Sequence, residues 1–106
     1  MPKYLWQVSY SSDGVKGVVK EGGSGRRAEA KNLFEALGGT MEAFYFAFGD
    51  ADAIVIADVP DEEAAAAVTL AVNADSRISL KTTVLLTPEA VDAAAKRSVE
   101  YRPPGD

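Results

Sequence analysis

Apolar and polar residues alternate over residues 4–10. Tyr4, Trp6, Val8 and Tyr10 fall on one side, and Leu5, Gln7 and Ser9 on the other. A period of two with aromatic and β-branched residues predicts a strand. Ser11, Ser12, Asp13 and Gly14 end it in turn chemistry. Beyond them the pattern supports no more than a short turn of helix over 15–19. Glu21, Gly22, Gly23, Ser24 and Gly25 then break regular structure. With Ser24 as N-cap, a helix is expected over 24–37, where Ala30, Leu33, Phe34 and Leu37 recur at helical spacing. Gly38 and Gly39 stop it, one of them as a left-handed C-cap.

Residues 40–60 read as a β-hairpin: two apolar, β-rich runs flank the small acidic turn Gly49, Asp50, Ala51, Asp52. A two-residue loop at Asp50 and Ala51 places Phe48 opposite Ala53, Phe46 opposite Val55 and Phe44 opposite Ala57. These six share the face expected to lie under helices. Ala43, Tyr45, Ala47, Ile54, Ile56 and Asp58 share the other, which should meet something more polar. Those loop residues are not the favoured Asn-Gly type, so a longer loop would shift the register by one.

Asp61 is a good N-cap for the next helix, and Glu62 and Glu63 suit its positive end. Ala64, Val68, Ala71 and Val72 make a slim apolar stripe that lets this helix sit close to a sheet. Residues 73–77 end it. Residues 78–86 are rich in β-branched positions and read as the last strand. Thr87 and Pro88 start a final helix, Thr as N-cap and Pro at the first position, and a loose tail follows over 99–106. The order β-α-β-β-α-β plus one helix is the split βαβ, or ferredoxin-like, arrangement of an α+β domain over residues 1–98. Its four-stranded antiparallel sheet carries helices on one face only. The other face holds Tyr45, Ile54 and Ile56 without cover, a sizeable apolar patch. The economical cover is a second copy, sheet against sheet, giving a dimeric α+β barrel with a cavity between the sheets.

Composition narrows the chemistry. The 106 residues contain no cysteine and no histidine. Disulfides, thiolate nucleophiles, cysteine zinc sites, imidazole bases and haem histidine ligands are therefore excluded. A metal would have to be a hard ion on carboxylates and carbonyls. A net charge of −5 disfavours nucleic acid. Lys16, Lys20, Arg26, Arg27 and Lys31 form a local basic stretch, read first as a solvated helix face and second as an anion site at the helix near Ser24. The glycines before that helix lack the lysine and the preceding strand of a phosphate loop. Residues 1–10 lack a signal-peptide pattern and no run is long enough to span a membrane, so a cytoplasmic location is expected.

Phe48, Gly49, Asp50, Ala51 and Asp52, the Ala53, Ile54, Val55, Ile56 strand, and Pro60, Asp61, Glu62, Glu63, Ala64, Ala65 resemble the GYD-domain family of small bacterial proteins. Leu37, Gly38 and Gly39 and the aromatic strand around Tyr45 fit the same likeness, which extends from the first strand to the Thr87 helix start. Gly49 and Asp52 match the Gly-Tyr-Asp element, while Ala51 stands for its tyrosine. The resemblance implies a ferredoxin-like fold and leaves the activity open.

Asp50 and Asp52 are paired carboxylates, more readily explained as turn formers than as a cation site or an acid–base pair. No set of residues amounts to a catalytic signature, and no cofactor is implied. The candidate ligand-binding residues are Gln7, Ser9, Tyr45, Asp58 and Lys81, with Thr83 beside them, all expected on the open face and with Lys81 close enough to Asp58 to pair with it. Three functions are carried forward, the third a metal-binding regulator using Asp50 and Asp52. The first is a homodimeric or higher-order binding module with a small organic molecule between the sheets. The second is a cofactor-independent enzyme, monooxygenase- or isomerase-like, using Tyr45, Asp58 or Lys81 as acid–base groups.

Overall fold

A computed structural model describes residues 1–106. Its elements run β1 (Lys3–Tyr10), α1 (Ser12–Glu21), α2 (Gly23–Ala36), β2 (Thr40–Phe46), β3 (Ala53–Asp58), α3 (Glu62–Asn73), β4 (Ile78–Leu85) and α4 (Pro88–Ala95). The strands form one antiparallel sheet in the order β2-β3-β1-β4, so β3 lies between β1 and β2 as in a split βαβ unit.

The alternation in β1 becomes the division between the layers. Trp6 and Val8 are buried on the face covered by α2 and α3, with Ala53, Val55 and Ala57 of β3, Phe34 of α2, and Ala65 and Val68 of α3. The Trp6 and Phe34 rings lie 5.0 Å apart and tilted, a favourable aromatic arrangement. In α3 the buried stripe is Ala65 and Val68, with Ala64 and Val72 half-buried, whereas Ala71 faces out. The caps at Asp61 and Thr87 form as the sequence predicts. Their side chains accept from Ala64 N–H at 2.8 Å and Ala90 N–H at 3.0 Å. The C-cap of α2 is Leu37 rather than a glycine, and Gly38 directly after it takes the left-handed conformation, with φ +81°.

Three further local expectations are corrected. The stretch after β1 is a full ten-residue helix, α1, rather than a turn over 15–19. Ser11 caps it, accepting from Gly14 N–H at 3.2 Å. Gly14 weakens helix propensity but serves packing, since a β-carbon there would fall on the Arg77 carbonyl oxygen. The next helix starts at Gly23, and Gly22 at φ +89°, not Ser24, is its N-cap.

The hairpin loop is the third. It is not the two-residue turn at Asp50 and Ala51: the strands end at Phe46 and Ala53, which face each other. Phe44 lies opposite Val55, so the register is displaced by two residues from the tight-turn pairing, and each residue keeps its face. The cause is Asp52. Its N–H donates to the Val8 carbonyl at 2.7 Å and its carboxylate accepts from Tyr10 N–H at 2.8 Å, tying the loop to β1. Phe48 thus leaves the sheet. It is exposed at φ +54° and stacks on Phe46 at 5.7 Å. An irregularity between Met41 and Ala43 lets Met41 and Phe44 both pack on the core despite their odd spacing.

Candidate functional site

No helix lies over the second face of the sheet. Its residues follow from the register as rows across the four strands. One row is Thr40, Asp58, Lys3 and Leu85. The next is Ala43, Ile56, Leu5 and Thr83, and the next Tyr45, Ile54, Gln7 and Lys81. Ser9 and Ser79 lie opposite each other beyond them. All five sequence-predicted ligand residues, Gln7, Ser9, Tyr45, Asp58 and Lys81, fall on this one face. The centre is apolar, with Leu5, Ile54 and Ile56, and the periphery is polar. Tyr45 is 71 % exposed.

The predicted pairing of Asp58 with Lys81 does not occur. β1 lies between β3 and β4, so the two are separated by a strand. Asp58 is instead held by Lys3, whose ammonium donates to Asp58 Oδ2 at 3.0 Å and to Glu42 Oε2 at 2.9 Å. The Glu42 hydrogen bond first, and Asp58 second, keep the Lys3 ammonium above its ordinary range. This contribution is therefore complete at neutral pH and is lost only as pH rises through the alkaline range of lysine. Lys3 and Glu42 are absent from the sequence-level candidates. The signal for Lys3 was the continuation of the 5, 7, 9 alternation by one step. Glu42 had none, because its position follows from the strand irregularity.

Tyr45 and Lys81 share a row but sit on opposite edge strands, three strand spacings or about 14 Å apart. Within one chain, Tyr45, Asp58 and Lys81 therefore do not converge on a common point. At the hairpin tip, Asp52 is engaged with β1, Asp50 is exposed beside Gly49, and Ala51 is buried. No group of three or more carboxylates is arranged to hold a metal ion. The basic residues do not converge on a shared point: Lys31 meets Glu35 at 3.9 Å on its own helix, and Arg26 keeps a single long contact with Glu21 at 3.4 Å.

The C-terminal helix α4 buries no residue and has no extensive contact with another element, and Val91 on it and Leu86 just before it are exposed. The molecule is accordingly long, 56 × 34 × 22 Å, with a radius of gyration of 16.9 Å. A compact chain of this length has about 13 Å. No helix is long and apolar enough to cross a membrane.

The family model of the GYD domain matches residues 4–95. No curated protein and no solved structure matches the chain.

Proposed function

The chain belongs to the GYD-domain family, and from that premise we propose that it is a cytoplasmic homodimeric binding module whose two open sheet faces meet and hold a small organic molecule at their polar margin. The observation that carries this reading is the anatomy of the face: an apolar centre of Leu5, Ile54 and Ile56 ringed by Tyr45, Gln7, Lys81, Asp58 and Lys3. A dry centre with a polar rim is what a specific protein interface requires.

Size supports the same reading. Four strands with about 20 Å of paired length make a face of roughly 400 Å². Two such faces reach about 800 Å², and side-chain relief raises that towards the roughly 1,000 Å² a specific interface needs. The uncovered α4 segments add further area. An eight-residue helix is marginal in water by itself, and a partner surface would stabilise it. The binding role is favoured over a cofactor-independent enzyme because Tyr45, Asp58 and Lys81 lie in separate places and Asp58 is occupied by Lys3.

Ile56→Lys tests the assembly. Light scattering at micromolar concentration is expected to give the native protein twice the 11.2 kDa chain mass and the variant a single chain. A buried, unpaired ammonium at the centre of the interface would cost several kcal/mol. Circular dichroism should show the variant's fold retained, because Ile56 is on the open face. A native protein of one-chain mass, or a variant that stays dimeric, overturns the reading.

A further inference from the structure

The covered face of the sheet carries a second concavity. α2 packs on β2 and α3 on β4, and the two helices leave a slot over the central strands. Trp6, Val8, Phe34, Val55, Val68 and Leu80 line it, and its volume is about 80 Å³. The slot ends at Tyr10, Arg26 and Ile78. These same three residues wall a polar hollow of about 220 Å³, where α1 meets the turn before β4. An apolar slot thus opens into a wet chamber, with one cation at the threshold. A site for an amphipathic small molecule has this form, mostly apolar with a few placed polar groups.

The charges select the head group. Arg77 in the hollow is paired two-pronged with Asp75, through Nε at 2.9 Å and Nη2 at 2.6 Å. Those bonds hold the Asp75 carboxyl well below the usual carboxylate range. Arg26 is different: its one ion-pair partner is Glu21, through a single long contact of 3.4 Å. A guanidinium so loosely held keeps a two-pronged face for a better-placed carboxylate. The Tyr10 hydroxyl is beside it. Burial pushes the pKa of that hydroxyl up and Arg26 opposes the shift, so it remains a neutral donor. The remaining charged groups around the threshold are Asp13, Glu29 and Asp52, whose carboxylate is already committed to the Tyr10 backbone N–H at 2.8 Å. Volume selects the body. The slot has about half the roughly 150 Å³ that accommodates a benzene ring in a closed cavity. It suits a branched alkyl group of three or four carbons better than an aromatic ring.

We propose that each chain binds a short branched-chain carboxylate here, its alkyl group in the slot between Trp6, Phe34 and Val68 and its carboxylate on Arg26 beside Tyr10. The site is independent of the sheet-to-sheet assembly, since it lies on the opposite side of the sheet and within one chain.

Trp6 is the only tryptophan and reports the slot directly by its fluorescence. Titration with sodium isovalerate at fixed ionic strength is expected to give a saturable change in Trp6 emission, at the millimolar affinity of so small a ligand. Isovaleramide and isoamylamine, with the same body and a neutral or cationic head, should bind at least tenfold more weakly. Arg26→Gln should weaken isovalerate by a similar factor, and Ala30→Leu, which fills the slot from a half-buried position, should abolish the response. The same titration of Ile56→Lys should be unchanged. The site is overturned by a non-saturating response, by an amide or amine that matches the acid, or by indifference to both Arg26→Gln and Ala30→Leu. Loss of binding in Ile56→Lys would place the ligand between the sheets instead and equally overturn it.

Discussion

Trp6→Ala is expected to destabilise the protein by about 3–5 kcal/mol, the range for removing a large aromatic side chain from a packed core. Trp6 is 1 % exposed at the centre of the sheet. It packs against Phe34 at 5.0 Å and Tyr4 at 5.7 Å. Its Nε1–H donates to Thr69 Oγ1 at 3.3 Å, and that hydroxyl also bonds the Ala65 carbonyl and Thr82. The substitution therefore removes ring packing and one hydrogen bond, and leaves a hole beside the existing slot that the helices cannot fill without moving. Domains of this kind have total stabilities of about 5–15 kcal/mol, so the loss is a large share of the whole. Urea unfolding followed by far-ultraviolet circular dichroism measures it. A loss below about 1 kcal/mol, the centre of the range for ordinary substitutions, would mean that Trp6 is not the keystone of this core.

Gly39→Ala is the second large effect, expected at about 1–3 kcal/mol. Gly39 is buried at the entrance to β2, and its N–H donates to the Phe34 carbonyl at 2.8 Å, closing the end of α2. A β-carbon at this position would fall on the Asp58 carbonyl oxygen of the neighbouring strand. That oxygen is backbone within the sheet, so it cannot swing aside as a flexible side chain would. Accommodation requires β2 and β3 to separate where Thr40 faces Asp58. Gly49→Ala is the internal control. Nothing lies within reach of a β-carbon there, so thermal unfolding should show almost no change. Equal effects from the two substitutions would contradict the close approach at Gly39.

The sequence carries the layers of this fold well and its connections less well. Alternation in β1 and β3 separates the covered face from the open one, because a buried sheet face demands apolar residues at every second position. That is why Gln7, Ser9, Tyr45, Asp58 and Lys81 were legible as one surface. Strand order decides which of them touch, and order is a long-range property. Asp58 and Lys81 are both on that surface, yet Lys3 on the intervening strand takes Asp58. The hairpin loop departs from its local turn chemistry for a related reason. Asp52 has turn chemistry when considered locally, but its carboxylate is committed to a backbone N–H of β1, forty-two residues away. α1 was hidden by Gly14 and Gly17, which lower helix propensity. Gly14 is there because the Arg77 backbone comes too close for any side chain. The slot beneath the helices leaves no trace in the pattern. Its lining residues read simply as core, and only the spacing of α2 and α3 on the sheet opens it.

The assembly is most directly tested by a distance between protomers. The chain has no cysteine, so a single introduced cysteine carries a spin label without background. A label at Gln7→Cys lies on the open face, and one at Lys31→Cys lies on exposed α2. Facing sheets pack about 10 Å apart. Dipolar broadening of the continuous-wave electron paramagnetic resonance spectrum should therefore be strong for the Gln7 label and weak or absent for the Lys31 label. The reverse order, or no dipolar coupling at Gln7 at micromolar concentration, would contradict sheet-to-sheet assembly.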